Sequence, residues 1–174
     1  MSSPMAPHEI VAVVICLVAG GIDIRSRRIP NWLTFGGAAG GFAYGAWVGG
    51  TSAGLNSLGG LLIGLGLFFP FFALGGLGGG DVKLLAALGA WLGFPAILWV
   101  AFYTALGGGV LAVVAAVRHG LLGASLRNVW LMLMHWRVAG PRPIDGLTLQ
   151  TAVGPHLPYS IPIALGVFLS IWLR

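Results

Sequence analysis

Charge is what this sequence has least of. Only 7% of its 174 residues are Asp, Glu, Lys or Arg, while 57% are hydrophobic. An ordinary soluble domain is about a quarter charged, so this chain has too little polar surface to face water on all sides. That excludes a water-soluble globular domain and makes the chain a polytopic membrane protein. Cysteine is nearly absent too: Cys16 stands alone inside an apolar run, which excludes an intrachain disulfide and any cysteine zinc site. It reads as a small core residue. His8, His119, His135 and His156 are scattered without ligand spacing, so neither a metal nor another cofactor is expected. No serine sits in a nucleophile elbow. "GGLGGGD" (75–81) follows an apolar run rather than a strand and lacks the Gly-Lys-Ser/Thr ending of a phosphate loop. The net charge of +5 comes without a basic stripe interleaved with aromatics, so nucleic acid is not an expected partner. "MSSPMAPHEI" has no Lys or Arg, so the basic start of a signal peptide is missing and the first apolar run is expected to stay.

What is present is long apolar stretches. A bilayer core needs roughly 20 apolar residues per helix, and such runs fall at about 8–24, 32–49, 56–75, 82–117 and 157–173. The fourth is too long for one span. Gly93 and Pro95 in "LGFPAI" break it, since Pro cannot continue an earlier helix without losing a hydrogen bond. This predicts helices at about 82–93 and 95–117, and hence an all-α fold with about six transmembrane helices in one domain, 1–174. With the N-terminus outside, the inward loops 25–31, 76–83 and 118–156 hold Arg25, Arg27, Arg28, Lys83, Arg118, Arg127, Arg137 and Arg142. Only Arg174 of the nine basic residues then lies outside, as the positive-inside rule requires. "SLRNVWLMLMHWRV" (125–138) is too short to span and suits an amphipathic helix in the interface plane of the lipid. Small residues four apart in "GGAAGGFAYG" (36–45) and "GGLLIG" (59–64) predict closely packed helix backbones.

The four acids are then informative by position. Glu9 lies at the outer end of the first helix and Asp145 in an inner loop, where "PIDGL" reads as a turn. Asp23 ends the first helix and Asp81 opens the fourth, both at the inner face. Ionisable groups at such depths are costly and functional by default. Two carboxyls close enough to share a proton cannot both ionise, so one serves as acid and the other as base. Gly78, Gly79 and Gly80 carry no Cβ, so the backbone beside Asp81 is expected to turn freely and to admit an extended substrate chain. Each aspartate also has a plain structural reading. Asp81 would serve as the N-cap of its helix, and Asp23 would pair with Arg25 or Arg27. Lys83 either snorkels to headgroups or steadies the two aspartates by its charge.

"GGGDVKLLAALGAWLG" (78–93) resembles the Gly-x-Gly-Asp motif and following helix of the type IV prepilin peptidases. "DIRSRRIPNWLT" (23–34) is similar to that family's first-aspartate segment, and "LPYSIPIALG" (157–166) to its last-helix entry. The resemblance covers essentially the whole chain in order. It implies a membrane aspartyl protease of the bacterial inner membrane, working at the cytoplasmic side on a prepilin. Asp23 and Asp81 would be its catalytic dyad, with Gly78 and Gly80 as motif glycines. Larger members carry a methyltransferase domain with paired Cys-x-x-Cys motifs between the first two helices. Here only Arg25 to Asn31 lie there, so peptidase activity without N-methylation is expected, as in the compact branch associated with tight-adherence (Flp) pili. Archaeal preflagellin peptidases are related candidates.

Two other readings compete. A presenilin-like intramembrane protease predicts a Tyr-Asp pair at the first aspartate, whereas Asp23 follows Gly21-Ile22. A small proton-coupled transporter would use both aspartates as relays and predicts polar residues across the bilayer, which the spans do not supply.

Overall fold

The computed structural model describes residues 5–140 and 158–173, and among them every regular element is a helix. These are α1 (Pro7–Ser26), α2 (Asn31–Ala73), α3 (Gly79–Leu92), α4 (Ala96–Arg118), α5 (Leu122–Ala139) and α6 (Ser160–Trp172). Asp145, Arg142, His156 and Leu157 lie outside the described residues.

Three of the helices, α1, α2 and α4, are long and apolar enough to cross a membrane. The chain is an integral membrane protein. The 43 residues of α2 are not one rod. Gly49 and Gly50 leave the helical region, with Gly50 at φ 64°, a conformation glycine adopts without penalty. The chain folds back there. Ser57 Oγ donates to Gly41 O at 3.5 Å, and Gly54 faces Ala46. The arms 31–48 and 51–73 therefore form a hairpin that matches the runs expected at 32–49 and 56–75. The break expected after Gly93 is also present, since α3 stops at Leu92 and α4 starts at Ala96.

The helix α3 is different in kind. Its 14 residues give a length of about 21 Å at 1.5 Å per residue, short of the roughly 30 Å of a bilayer core. Beyond Lys83 it is apolar all round, as an enclosed helix must be: Leu84, Leu85, Ala87, Leu88 and Ala90 are all completely buried. The hairpin of α2 encloses it. On one arm Gly37 and Gly41 face Ala87, Ala90 and Trp91, and Trp91 Nε1 donates to Gly37 O at 2.8 Å. On the other, Gly60 meets Gly89 and Gly64 meets Leu85, backbone against backbone. Of the small residues in the two glycine-rich runs, Gly41, Gly60 and Gly64 lie closest to the α3 backbone, while Gly45 packs on Ser57 across the hairpin.

One hydrophobic cluster joins α1, α2, α3, α4 and α6. The helix α5 stands outside it, touching only α4 among the described residues, with Leu126, Trp130 and Val138 exposed. That isolation fits the amphipathic segment expected at 125–138.

Candidate active site

Three helix ends converge at one end of the bundle. They are the last turn of α1 with Asp23, the first turn of α3 with Asp81, and the entry to α6 with Tyr159 and Ser160. The two aspartates come within Coulombic reach of one another. Both are partly buried.

The local chain explains how each is held. Asp23 O accepts from Arg27 N at 2.7 Å, and Arg27 turns into the left-handed region at φ 52° to end α1. The chain then passes through Ile29, which is buried against the first turn of α3. A Cβ on Gly80 would stand 3.1 Å from Ile29 Cβ. Pro30 caps α2 at φ −70°. Asn31 Oδ1 accepts from Lys83 Nζ at 3.0 Å, and the same ammonium lies 5.4 Å from the Phe35 ring centroid. The segment after Asp23 and the helix carrying Asp81 are thus docked at two points, Ile29 on Gly80 and Asn31 on Lys83. The charge of Lys83 is directed to Asn31 and Phe35, not to a carboxylate.

The glycines before Asp81 act through space rather than conformational freedom, which corrects the sequence expectation. Gly78 is the N-cap at φ −75°, ψ 141°, a backbone any residue adopts, and Gly79 and Gly80 are already helical. A Cβ on Gly78, however, would stand 2.8 Å from Asp81 Oδ2. Asp81 is not the N-cap but the third helical residue, and its carboxylate reaches back toward the Gly78 N–H, as the N3 acid of a capping box does. Asp23 does not pair with the arginines that follow it. Its Oδ2 accepts from Ser160 Oγ at 2.7 Å, across 137 residues of sequence. Glu9, by contrast, has a structural task, accepting from Ala6 N at 2.9 Å to cap α1.

Sequence reasoning singled out neither Ser160 nor Tyr159. The available signal was a hydroxyl opening an otherwise apolar last helix, on the face where both acids lie. Burial, and then the charge of Asp81, push the Tyr159 phenol above its usual value. Its ring packs on Gly108 and lines a groove of about 490 Å³. The groove runs between the second arm of α2 and α4, past Phe68, Phe71, Leu77, Phe102 and Ala105. Among the described residues, no three His, Cys, Asp or Glu side chains cluster to hold a metal ion. The chemistry this end of the bundle offers is that of two interacting carboxyls beside an apolar channel.

Residues 10–113 match the model of the type IV leader peptidase family. A prepilin leader peptidase/N-methyltransferase of Burkholderia pseudomallei (strain K96243) is 36% identical over 110 residues, which cover 59% of this chain and 35% of that protein. One of Aeromonas salmonicida (strain A449) is 35% identical over 98 residues, covering 53% and 34%. The chain spans about a third of the length of these curated relatives. No solved structure matches.

Proposed function

The chain belongs to the type IV leader peptidase family, and from that premise we propose that it is an aspartic endopeptidase that removes the leader of a prepilin. The observation that carries this reading is the meeting of Asp23 and Asp81 at one end of the bundle, from helices far apart in sequence. One carboxylate takes a proton from water as the water oxygen attacks the scissile carbonyl carbon. The other carboxylic acid gives its proton to the carbonyl oxygen. The tetrahedral intermediate then collapses: the first carboxyl gives the proton it took from water to the departing nitrogen, the C–N bond breaks, and a hydroxyl of the intermediate returns a proton to the second carboxylate. Titration belongs to the pair rather than to either residue.

The excess of Lys and Arg on the loops at the aspartate end supports a cytoplasmic site in the inner membrane, with the N-terminus outside. In this orientation the two arms of α2 are separate passes, and α5 lies in the headgroup plane with Trp130 and Arg127 at the boundary. The substrate's apolar stem lies in the groove beside Tyr159, leaving its basic leader on the aqueous side. Only residues 27–30 separate α1 from α2, and Cys16 is the sole cysteine. This supports leader removal without N-methylation, on a substrate of the Flp type.

Co-expression with a prepilin, followed by gel shift, tests the reading. Asp23→Asn and Asp81→Asn should each abolish leader removal while leaving membrane insertion intact. Asp145→Asn should be nearly silent. Full cleavage by either dyad variant would end the proposal.

A further inference from the structure

Ser160 is the first residue of α6 and is completely buried. A hydroxyl has one proton to give, and burying it unpaired leaves a desolvated donor uncompensated. The other buried serines, Ser57 and Ser170, spend theirs on backbone carbonyls, Gly41 O and Val167 O. Ser160 instead gives its proton to Asp23 Oδ2 at 2.7 Å. That length is typical of a hydroxyl donor, and bonds to an ionised acceptor are about twice as strong as neutral ones.

We propose that Ser160 is a positioning residue that breaks the symmetry of the aspartate pair, holding Asp23 as the base and leaving Asp81 as the acid. The inference rests on the dyad reading given above. The Ser160 hydroxyl bonded to Asp23 Oδ2 occupies the oxygen a proton would otherwise take. Oδ1 then remains for the attacking water. The proton that two neighbouring carboxyls must share resides on Asp81. The Gly78 N–H and the positive end of α3 face Asp81. They offset only in part the burial and the neighbouring charge of Asp23 that hold its carboxyl above the usual carboxylate range, so the shared proton stays on Asp81.

The titratable groups around Asp23 are few. Asp81 comes from α3, and Tyr159 from the entry to α6, where it is coupled to Asp81. Arg25 and Arg27, on the end of α1 itself, are exposed. Lys83 is bound to Asn31. No cation among the described residues does for Asp23 what the Ser160 hydroxyl does.

The test uses the full chain, purified into phospholipid nanodiscs, with a synthetic peptide that has a basic leader, a glycine and an apolar stretch. Rates are measured from acid to alkaline pH for wild type, Ser160→Ala, Ser160→Cys and Asp23→Asn. Alanine nearly fills the serine's space, and cysteine is close to isosteric but a weak donor. Losing a bond to a charged group, worth about 1.5–3 kcal/mol, should lower kcat of Ser160→Ala by about 10- to 100-fold, with KM within twofold of wild type. The acid limb of its kcat profile should move to higher pH, because Asp23 Oδ2 is then free to take a proton. Ser160→Cys should fall between. A Ser160→Ala enzyme with wild-type kcat and an unmoved acid limb, or one that loses only thermal stability, would overturn the inference and leave the dyad standing. Cleavage by Asp23→Asn would instead sink the dyad reading beneath it.

Discussion

Gly78 lies so close to the carboxylate of Asp81 that a Cβ at position 78 would stand 2.8 Å from Oδ2. The backbone there is ordinary, so alanine is conformationally acceptable and fails only by displacing the carboxylate. Gly78→Ala should insert and fold normally. Its kcat should fall about 100-fold, the usual cost of moving a reacting group by about 1 Å. Detergent-phase melting together with peptide cleavage separates the two effects, and an active Gly78→Ala would show that Asp81 tolerates the shift.

Gly59 and Gly60 are neighbours with opposite demands. Gly59 has open space where a Cβ would go, whereas Gly60 lies against the backbone of Gly89. Gly59→Ala should be neutral or stabilising by up to about 1 kcal/mol, the gain expected from helix propensity. Gly60→Ala should destabilise by about 1–3 kcal/mol or more, the cost of overpacking. Thermal melting of both variants reads the contrast, and equal melting temperatures would refute the packing of α3 within the α2 hairpin.

Lys83 and Asn31 form a clamp between the two aspartate-bearing segments. Asn31→Ala leaves the lysine's charge in place, while Lys83→Met removes it. If the clamp is what matters, both should lower activity by a similar few-fold factor. The double variant should then be no worse than either single one, as expected for two residues of one interaction. A much larger loss in Lys83→Met alone would return a direct electrostatic role to that ammonium.

Ala105 is exposed on the wall of the groove beside Tyr159. Ala105→Trp should fill the groove without touching the core. If the substrate's apolar stem lies there, KM should rise about tenfold, equivalent to about 1.4 kcal/mol of lost binding, with kcat little changed. An unchanged KM would place the stem elsewhere.

The Tyr159 phenol is held above its usual value by burial and by the charge of Asp81. The folded state therefore keeps a proton that the unfolded chain releases near pH 10. Its contribution is fully present below that pH and is lost as pH rises through the folded value. Melting temperature should therefore decline as pH rises above about 10, and the decline should be shallower in Tyr159→Phe. Identical slopes would remove the burial argument for this residue.

Much of the architecture was legible from composition. Lipid solvates no backbone polar group, so apolar runs become helices. The runs ending near Val48 and near Ala73, and the break after Gly93, mark real helix ends. The site was half legible. Asp23 and Asp81 stand out because few acids exist, and their common face follows from helix alternation. Ser160 was silent, because a lone serine in an apolar helix has many uses and its partner lies 137 residues away. Lys83 and the glycines at 78 and 80 were also singled out, though not for the contacts the structure gives them. Their tasks are an amide clamp and clearance for Asp81 and Ile29, and both depend on distances that no local pattern encodes.

By itself, then, the chain's composition decided its solvent, its helical state and the end of the bundle to which the acids belong, because transfer of apolar and charged groups between water and lipid depends on residue type alone. Only the tertiary structure decided that α3 is enclosed rather than lipid-facing, that Gly41, Gly60 and Gly64 let it in, and that the entry to α6 supplies Asp23 with a donor. Those outcomes depend on which surfaces meet, and short-range packing and hydrogen bonding act only once distant segments are in contact.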